Sequence, residues 1–115
     1  MTDGRATIRA AIEAARAEDR AVLFPYLTAG IPSTEESIEI FSAMADAGAD
    51  GFEIGIPYAD PLMDGLVIME AGEAALERGV TVDVALDVVA GVAERTGKPV
   101  LVMTYVNPVL RHGIG

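Results

Sequence analysis

Two carboxylates, Glu53 and Asp64, are the residues of this sequence best placed to do chemistry. Phe52, Ile54 and Ile56 alternate along a stretch typical of a strand, so Glu53 falls on the opposite face and is predicted to point into an enclosed space. An isolated ionised carboxylate in an apolar surround is costly. Glu53 must therefore be paired, protonated or used in a reaction.

Asp64 ends a loop that is marked by two prolines and by the pair Asp64-Gly65. A carboxylate on such a polar loop favours the ionised form, whereas Glu53 on an apolar strand favours holding a proton. Two carboxylates in different environments suit the two halves of general acid and base catalysis. The alternatives are structural: Glu53 paired with an arginine or a backbone N–H, and Asp64 as an ordinary turn residue.

The composition restricts the class of protein. The chain has 115 residues, 51% of them hydrophobic, and a formal net charge of −10. One domain with strands buried on both faces is expected, and the negative charge argues against nucleic acid. No apolar run approaches the roughly 18 residues of a membrane span, and the charged first 20 residues lack a signal-peptide core, so a cytoplasmic location is predicted. The absence of cysteine excludes disulfides and thiolate sites.

The periodicity predicts an opening helix and then the order β-α-β-α-β, with two helices before the last strand. Strands are expected over residues 21–28, 51–56 and 100–106, with a turn at Asn107-Pro108. Helices are expected after a capping box at Ser33, over residues 67–77, and from a cap at Thr81 or Asp83 to Gly97. The inward face of that last helix is predicted to carry Leu86, Val89, Ala90 and Ala93. Such an order implies a parallel sheet with helical crossovers.

Four segments resemble the tryptophan synthase α subunit family, from about residue 8 to the C-terminus. They are Phe24-Pro-Tyr-Leu-Thr-Ala-Gly30 with Pro32, Ala47-Gly-Ala-Asp50 before Phe52-Glu-Ile-Gly-Ile-Pro57, Asp60-Pro-Leu-Met-Asp-Gly65, and Met103-Thr-Tyr-Val-Asn-Pro108. The chain departs from the family at three positions that flank Asp64. It has Ala59 where the family usually has Ser or Thr, Leu66 in place of Pro, and Met69 in place of Gln.

The resemblance implies a fold of the α/β class, the TIM (β/α)8 barrel. Such a barrel needs roughly 250 residues. Residues 1–115 are therefore expected to be the N-terminal part of a single barrel domain, with about the first three βα units present. The loops that bind phosphate in such barrels usually follow strands 7 and 8. The isolated 115-residue chain is accordingly expected to be inactive.

The resemblance also implies an activity, the retro-aldol cleavage of indole-3-glycerol phosphate to indole and glyceraldehyde 3-phosphate. This is a lyase step of tryptophan biosynthesis. Glu53 would be the general acid and base at the ring carbon and the glycerol hydroxyl, and Asp64 would accept the ring N–H. Four residues near strand C-terminal ends would bind substrate, with core filling as the alternative: Tyr26, Thr28, Met103 and Tyr105.

A partner is implied as well, the β subunit that carries pyridoxal phosphate, in an α/β heterotetramer. Pro57, Asp60 and Asn107 are expected at that interface, and the chain itself is expected to hold no cofactor or metal. Lys98, the only lysine, begins a strand at the end opposite the chemistry, which argues against a Schiff-base aldolase. His112 is expected to be solvated.

Two other functions stay open from the sequence. One is a non-catalytic barrel fragment that retains only a loop for binding the β subunit. The other is a different lyase or isomerase of the (β/α)8 class that acts on a phosphorylated substrate.

Overall fold

A computed structural model describes residues 3–59 and 63–113 of the chain. This part contains five helices and three strands, in the order α1 (Gly4–Ala17), β1 (Tyr26–Thr28), α2 (Thr34–Asp46), β2 (Phe52–Gly55), α3 (Leu66–Glu77), α4 (Val82–Thr96), β3 (Val100–Met103) and α5 (Val106–His112). The strands form one parallel sheet in the order β1-β2-β3. The predicted α/β class with a parallel sheet is confirmed.

The two faces of the sheet differ in what covers them. Phe52 and Ile54 of β2 are fully buried on one face, where the Phe52 ring meets Phe41 of α2 edge to face at 5.2 Å. Side chains on adjacent positions of a strand point to opposite faces. Glu53 therefore lies on the face away from this helix layer, as the alternation predicts.

The strand register aligns two rows of residues on the face that carries Glu53. One row is Tyr26, Glu53 and Leu101, and the other is Thr28, Gly55 and Met103. Residues at matched register in a parallel sheet point to the same side, so candidate site residues from three strands are brought onto one surface.

The helix layer depends on close contact between α2 and α4. A Cβ on Gly91 of α4 would lie 2.7 Å from the Ile38 Cδ1 atom of α2, so the absence of a side chain there permits the approach. The predicted caps are confirmed: the Ser33 hydroxyl accepts the Glu36 N–H at 3.1 Å, and the Thr81 hydroxyl accepts the Val84 N–H at 3.2 Å.

The first strand is shorter than predicted, because residues 21–25 are not part of β1. Pro25 has no N–H to donate, although its carbonyl accepts from Glu53 at 3.0 Å. The Leu23 N–H bonds to the Asp50 carboxylate at 2.8 Å instead of to backbone. The segment is therefore held beside β2 by bonds that do not form a regular ladder.

The predicted inward face of α4 was wrong. Ala85, Val88 and Val92 are fully buried, whereas Leu86, Ala90 and Ala93 are exposed and Val89 is only partly buried. Apolar residues occur on more than one side of this helix. Helical spacing alone therefore could not decide which apolar stripe faces the core.

The prediction of a third strand to residue 106 and a turn at Asn107-Pro108 was also wrong. The strand ends at Met103, and α5 begins at Val106. Pro108 is buried in the first turn of α5, where a missing N–H costs no intrahelical bond. No helix within the described residues is both long and apolar enough to cross a membrane.

Candidate active site

A cleft of about 370 Å³ opens at the C-terminal ends of the strands. All four residues predicted to bind substrate line it: Tyr26 and Thr28 from β1, Met103 from β3 and Tyr105 from the connection to α5. Asp64 lines the same cleft from the opposite wall, which is built by α3 and the residues before it. The structure thus brings these five positions together, and their roles remain predictions.

Glu53 lies beside the cleft and does not line it. Its neighbours in the sheet are Tyr26 of β1 and Leu101 of β3, and its side chain is partly buried on the face away from the helices. Among the described residues, no side chain or N–H group donates a hydrogen bond to the carboxylate of Glu53 or of Asp64. Within the described part of the chain, Glu53 thus lacks the pairing that was the structural alternative for it, and the alternative of a turn residue stays open for Asp64.

The negative charges of Asp64 and Glu53 both act on the Tyr26 phenol. Burial raises the pKa of Tyr26, and the negative charges of Asp64 and Glu53 raise it further, against a lowering by the hydrogen bond with Thr28. Tyr26 is the register partner of Glu53 and lines the cleft together with Asp64. Candidate catalytic groups from a strand and from a distant loop share this neighbourhood.

Gly55 is a part of the site that sequence reasoning missed. A Cβ built on Gly55 would lie 2.0 Å from the Tyr26 hydroxyl oxygen, so the end of the tyrosine ring lies over the glycine backbone. The Tyr26 and Thr28 hydroxyls are 3.2 Å apart. The available signal was the position of Gly55, two residues after Glu53 and on the same face.

Helix α3 forms a wall of the cleft and lies between β2 and α4 in the chain. It begins at Leu66, after Gly65 at the N-cap position, and Gly65 supplies no side-chain capping bond. Met69 of α3 lines the cleft. Two of the three departures from the family pattern, Leu66 and Met69, thus fall in the first turn of this wall.

The other end of α3 is anchored to the loop after β1. An Arg78 guanidinium N–H donates to the Pro32 carbonyl at 2.8 Å. Gly30, with φ of +86°, lies so close to Val80 that a Cβ would come within 2.4 Å of it. These contacts hold the C-terminal end of α3 above β1.

Tyr105 holds the segment before Asp64. Its hydroxyl accepts the Met63 N–H at 2.8 Å, and its ring lies 5.2 Å from that of Tyr58. This structural role was not predicted, and it places Tyr105 between the β3 end and the loop that carries Asp64.

A wider groove of about 920 Å³ lies on the other side of the Pro57-Tyr58 segment. Pro57 and Asn107, both predicted at a partner interface, line it, and Asp60 lies outside the described residues. Pro57 and Tyr58 line the cleft as well as the groove. The two depressions therefore share one wall.

His112 is exposed, as predicted, and it also has a partner that was not predicted. Its Nε2 atom lies 2.6 Å from the Asp83 carboxylate in the wider groove. This hydrogen bond, with the Asp83 charge, raises the pKa of His112. The sequence separation of 29 residues hid the pairing.

The N-terminal end of the sheet carries a third carboxylate, Asp50, whose bonds are satisfied. It accepts the Leu23 N–H at 2.8 Å and approaches the Arg20 guanidinium at 2.9 Å, and these contacts lower the pKa of Asp50 despite its burial. Lys98 also acts on Asp50. Lys98 therefore lies at the end away from the cleft, as predicted.

No group of three histidine, aspartate or glutamate side chains within residues 3–59 and 63–113 is arranged to hold a metal ion. The cleft instead offers the Asp64 carboxylate, hydroxyls, thioethers and aromatic rings. This set suits proton transfer on an organic substrate with an apolar part.

A parallel sheet with helices on one face and a cleft at its C-terminal edge is typical of βα-barrel enzymes. The profile of the tryptophan synthase alpha chain family matches residues 12–115. The chain belongs to the tryptophan synthase alpha chain family.

Individual relatives agree with this assignment. The tryptophan synthase alpha chain of Streptomyces coelicolor is 46% identical over 103 residues, which are 90% of this chain and 38% of the relative. That of Salinispora tropica is 50% identical over 107 residues, covering 93% and 40%. The chain thus spans about two fifths of the length of these relatives.

Solved structures give the same result. Tryptophan synthase from M. tuberculosis in its aminoacrylate-bound form superposes with a TM-score of 0.87 at 41% identity, covering 94% of this chain and 44% of that one. The alpha subunit from Legionella pneumophila superposes with a TM-score of 0.86 at 35% identity, covering 93% and 41%. The predicted barrel-family fold is confirmed for the part that the chain covers.

Proposed function

We propose that residues 1–115 are the N-terminal part of a single (β/α)8 barrel domain, and that the complete protein cleaves indole-3-glycerol phosphate to indole and glyceraldehyde 3-phosphate. Family membership supports this activity. The observation that carries it is the placement of Asp64 and Tyr26 in one cleft at the C-terminal ends of the strands, with Glu53 beside Tyr26 on the neighbouring strand.

Glu53 is the general acid and base in this mechanism. Its proton goes to the ring carbon that bears the glycerol chain, and a carboxylate oxygen then takes the proton of the adjacent glycerol hydroxyl. The electron pair of the carbon–carbon bond returns to the ring, which leaves as indole. The deprotonated hydroxyl becomes the carbonyl of glyceraldehyde 3-phosphate, so one group gives and takes a proton in each turnover.

Asp64 stabilises the ring while it is protonated. A positive charge develops at the ring nitrogen when the ring carbon gains a proton, and a carboxylate that accepts the N–H offsets that charge. Asp64 is partly buried on the cleft wall opposite the strand ends, so it can meet the far edge of a ring that lies between the walls.

The remaining cleft residues provide a surface for the substrate. Tyr26 and Tyr105 offer aromatic faces, Met103 offers a polarizable thioether and Thr28 a hydroxyl. An indole ring is flat and apolar with one N–H, and such a lining suits it. The substrate's phosphate is left to loops that follow later strands of the barrel.

The partner in this proposal is the β subunit of tryptophan synthase, which supplies pyridoxal phosphate, and the assembly is an α/β heterotetramer. Pro57 and Asn107 line a groove that shares a wall with the cleft, and Asp60 follows Pro57 by three positions in the sequence. A protein bound there would contact the segment next to the site. Binding of the partner could therefore affect the reaction through the shared Pro57-Tyr58 wall.

The decisive experiment measures indole release from indole-3-glycerol phosphate. The complete protein is expected to be active, the 115-residue chain alone to be inactive, and the chain mixed with the missing C-terminal part to regain some activity. An inactive complete protein would refute the proposed reaction. Activity of the 115-residue chain alone would refute the placement of the phosphate site in later strands.

A further inference from the structure

Two hydrogen bonds of the main chain bracket Asp64. The Met63 N–H, one residue before it, donates to the Tyr105 hydroxyl at 2.8 Å. The Gly65 carbonyl, one residue after it, accepts the Met69 N–H at 3.0 Å, as part of the first turn of α3. The bond on the Met63 side is thus made by a side chain that lies 42 residues further along the chain.

The side chains around Asp64 give this segment little other support. Met63 is 88% exposed, so its side chain does not pack into the fold, and Gly65 has no side chain. Within the described residues, the Asp64 carboxylate accepts no hydrogen bond. In this part of the chain, the phenol oxygen of Tyr105 is therefore the polar contact that determines where the main chain runs before Asp64.

Tyr105 is itself held by its surroundings. It follows the last residue of β3 by two positions and is the N-cap residue of α5. Its ring lies 5.2 Å from the ring of Tyr58, with 32° between the ring planes. A side chain that is fixed by packing and by neighbouring elements orients its partners more precisely than one on a free loop.

We infer that Tyr105 is a positioning residue for Asp64: its hydroxyl accepts the Met63 N–H and, together with the first turn of α3, fixes the main chain on both sides of Asp64 so that the carboxylate faces the cleft. Asp64 and Tyr105 line that cleft together. The effect on turnover rests on the proposed function, whereas the effect on the position of Asp64 does not.

The first test is Tyr105→Phe in the complete protein, which removes the hydroxyl and retains the ring beside Tyr58. Loss of one hydrogen bond that orients a charged group should lower kcat for indole release about tenfold, while KM changes by less than about threefold. A kcat equal to that of the unmodified protein would overturn the inference.

A double-mutant cycle shows whether the hydroxyl acts through Asp64. In Asp64→Asn no charge is left to be placed, so adding Tyr105→Phe should lower kcat by less than about a further twofold. A second loss of about tenfold would refute the inference, because the hydroxyl would then act on the substrate directly.

The matched control is Tyr58→Phe, which deletes the phenol oxygen of the neighbouring ring and keeps the ring pair. Any loss of kcat that it causes should be equal in the presence and in the absence of Asp64→Asn. Dependence on Asp64 as strong as that of Tyr105→Phe would count against the inference, since any phenol of this wall would then have the same effect.

Amide NMR without substrate separates this inference from the proposed function. With isotope labelling of methionine and aspartate, the Met63 amide should exchange with solvent about tenfold faster in Tyr105→Phe, and the Asp64 amide signal should shift. Tyr58→Phe should move neither. Unchanged signals in Tyr105→Phe would contradict the inference whether or not indole-3-glycerol phosphate is cleaved. Changed signals in a protein that cleaves nothing would uphold it and refute only the proposed function.

Discussion

The two ends of the sheet treat their carboxylates differently. At the N-terminal end, Asp50 accepts a backbone N–H and faces an arginine, and its exposed fraction is 7%. Toward the cleft, Glu53 within β2 and Asp64 on the cleft wall are only partly buried, and no described residue donates a hydrogen bond to them. The carboxylate of Asp50 is thus occupied by structural partners, whereas those of Glu53 and Asp64 are available to a ligand.

This contrast shows how to separate a structural carboxylate from a chemical one. A buried charge with its hydrogen bonds satisfied stabilises the fold and cannot easily release its partners for a substrate. A charge held on a rigid strand or helix edge without such partners retains its bonding capacity for a ligand. The ends should therefore respond in opposite ways to the same kind of substitution.

The largest expected effect is that of Glu53→Gln in the complete protein. The amide keeps the size of the side chain and cannot exchange a proton, so kcat for indole release should fall by about 10² to 10⁴. Thermal unfolding should change little. Near-normal kcat would contradict the mechanism even though the family assignment would stand.

Asp64→Asn sharpens the contrast within the cleft. The amide can still accept the ring N–H but has no negative charge, so kcat should fall by about 10² and more activity should remain than in Glu53→Gln. Steady-state kinetics on the two purified variants decides the order. A deeper loss for Asp64→Asn would indicate that the two carboxylates have been assigned to the wrong steps.

Asp50→Asn is the counterpart at the opposite end. It removes the charge that faces Arg20 and should lower the free energy of unfolding by about 1 to 3 kcal/mol, with kcat preserved in the folded fraction. Urea unfolding gives the first quantity and indole release the second. A catalytic defect without loss of stability would break the comparison between the ends.

The pairing of Asp50 with Arg20 also makes the stability of the fold depend on pH. The Leu23 N–H and Arg20 hold the pKa of Asp50 below its ordinary 3.8. A lowered pKa in the folded state contributes stability above the ordinary value, and this stability is lost as the pH falls through the folded value. The unmodified protein should therefore lose more stability than Asp50→Asn when unfolding is compared at pH 6 and at the onset of acid unfolding.

The smallest effect concerns α5. The hydrogen bond to Asp83 raises the pKa of His112 above its ordinary 6.5, so its contribution is fully present below 6.5 and is lost as the pH rises through the folded value. Amide hydrogen exchange in α5 should speed up over that range. His112→Gln should abolish the pH dependence, and a dependence that survived would point to another group.

Much of this architecture was predictable because local patterns determined it. The caps at Ser33 and Thr81 satisfy free N–H groups with nearby side chains, and the alternation around Glu53 reports which face is buried. The resemblance of four segments to one family added the candidate site. Asp64 and the four residues predicted to bind substrate line one cleft, Glu53 lies just beside it, and their roles stay predictions.

The features that sequence reasoning missed depend on contacts between distant residues. The inward stripe of α4 was selected by packing against α2, and the His112 pair joins residues 29 positions apart. The seat of Tyr26 over Gly55 crosses two strands. No periodicity within a single element records such contacts, so only the assembled fold reveals them.

Helix α3 also has a consequence for how the chain folds. The connection from β2 to β3, which contains α3 as well as α4, is about twice as long as the connection from β1 to β2. The entropy of closing a loop grows only with the logarithm of its length, so a doubling costs roughly 0.6 kcal/mol. Helix α3, which forms one wall of the cleft, thus adds little to the entropic cost of pairing β2 with β3. Pairing of β1 with β2 is the more local event, and β3 is expected to join them later.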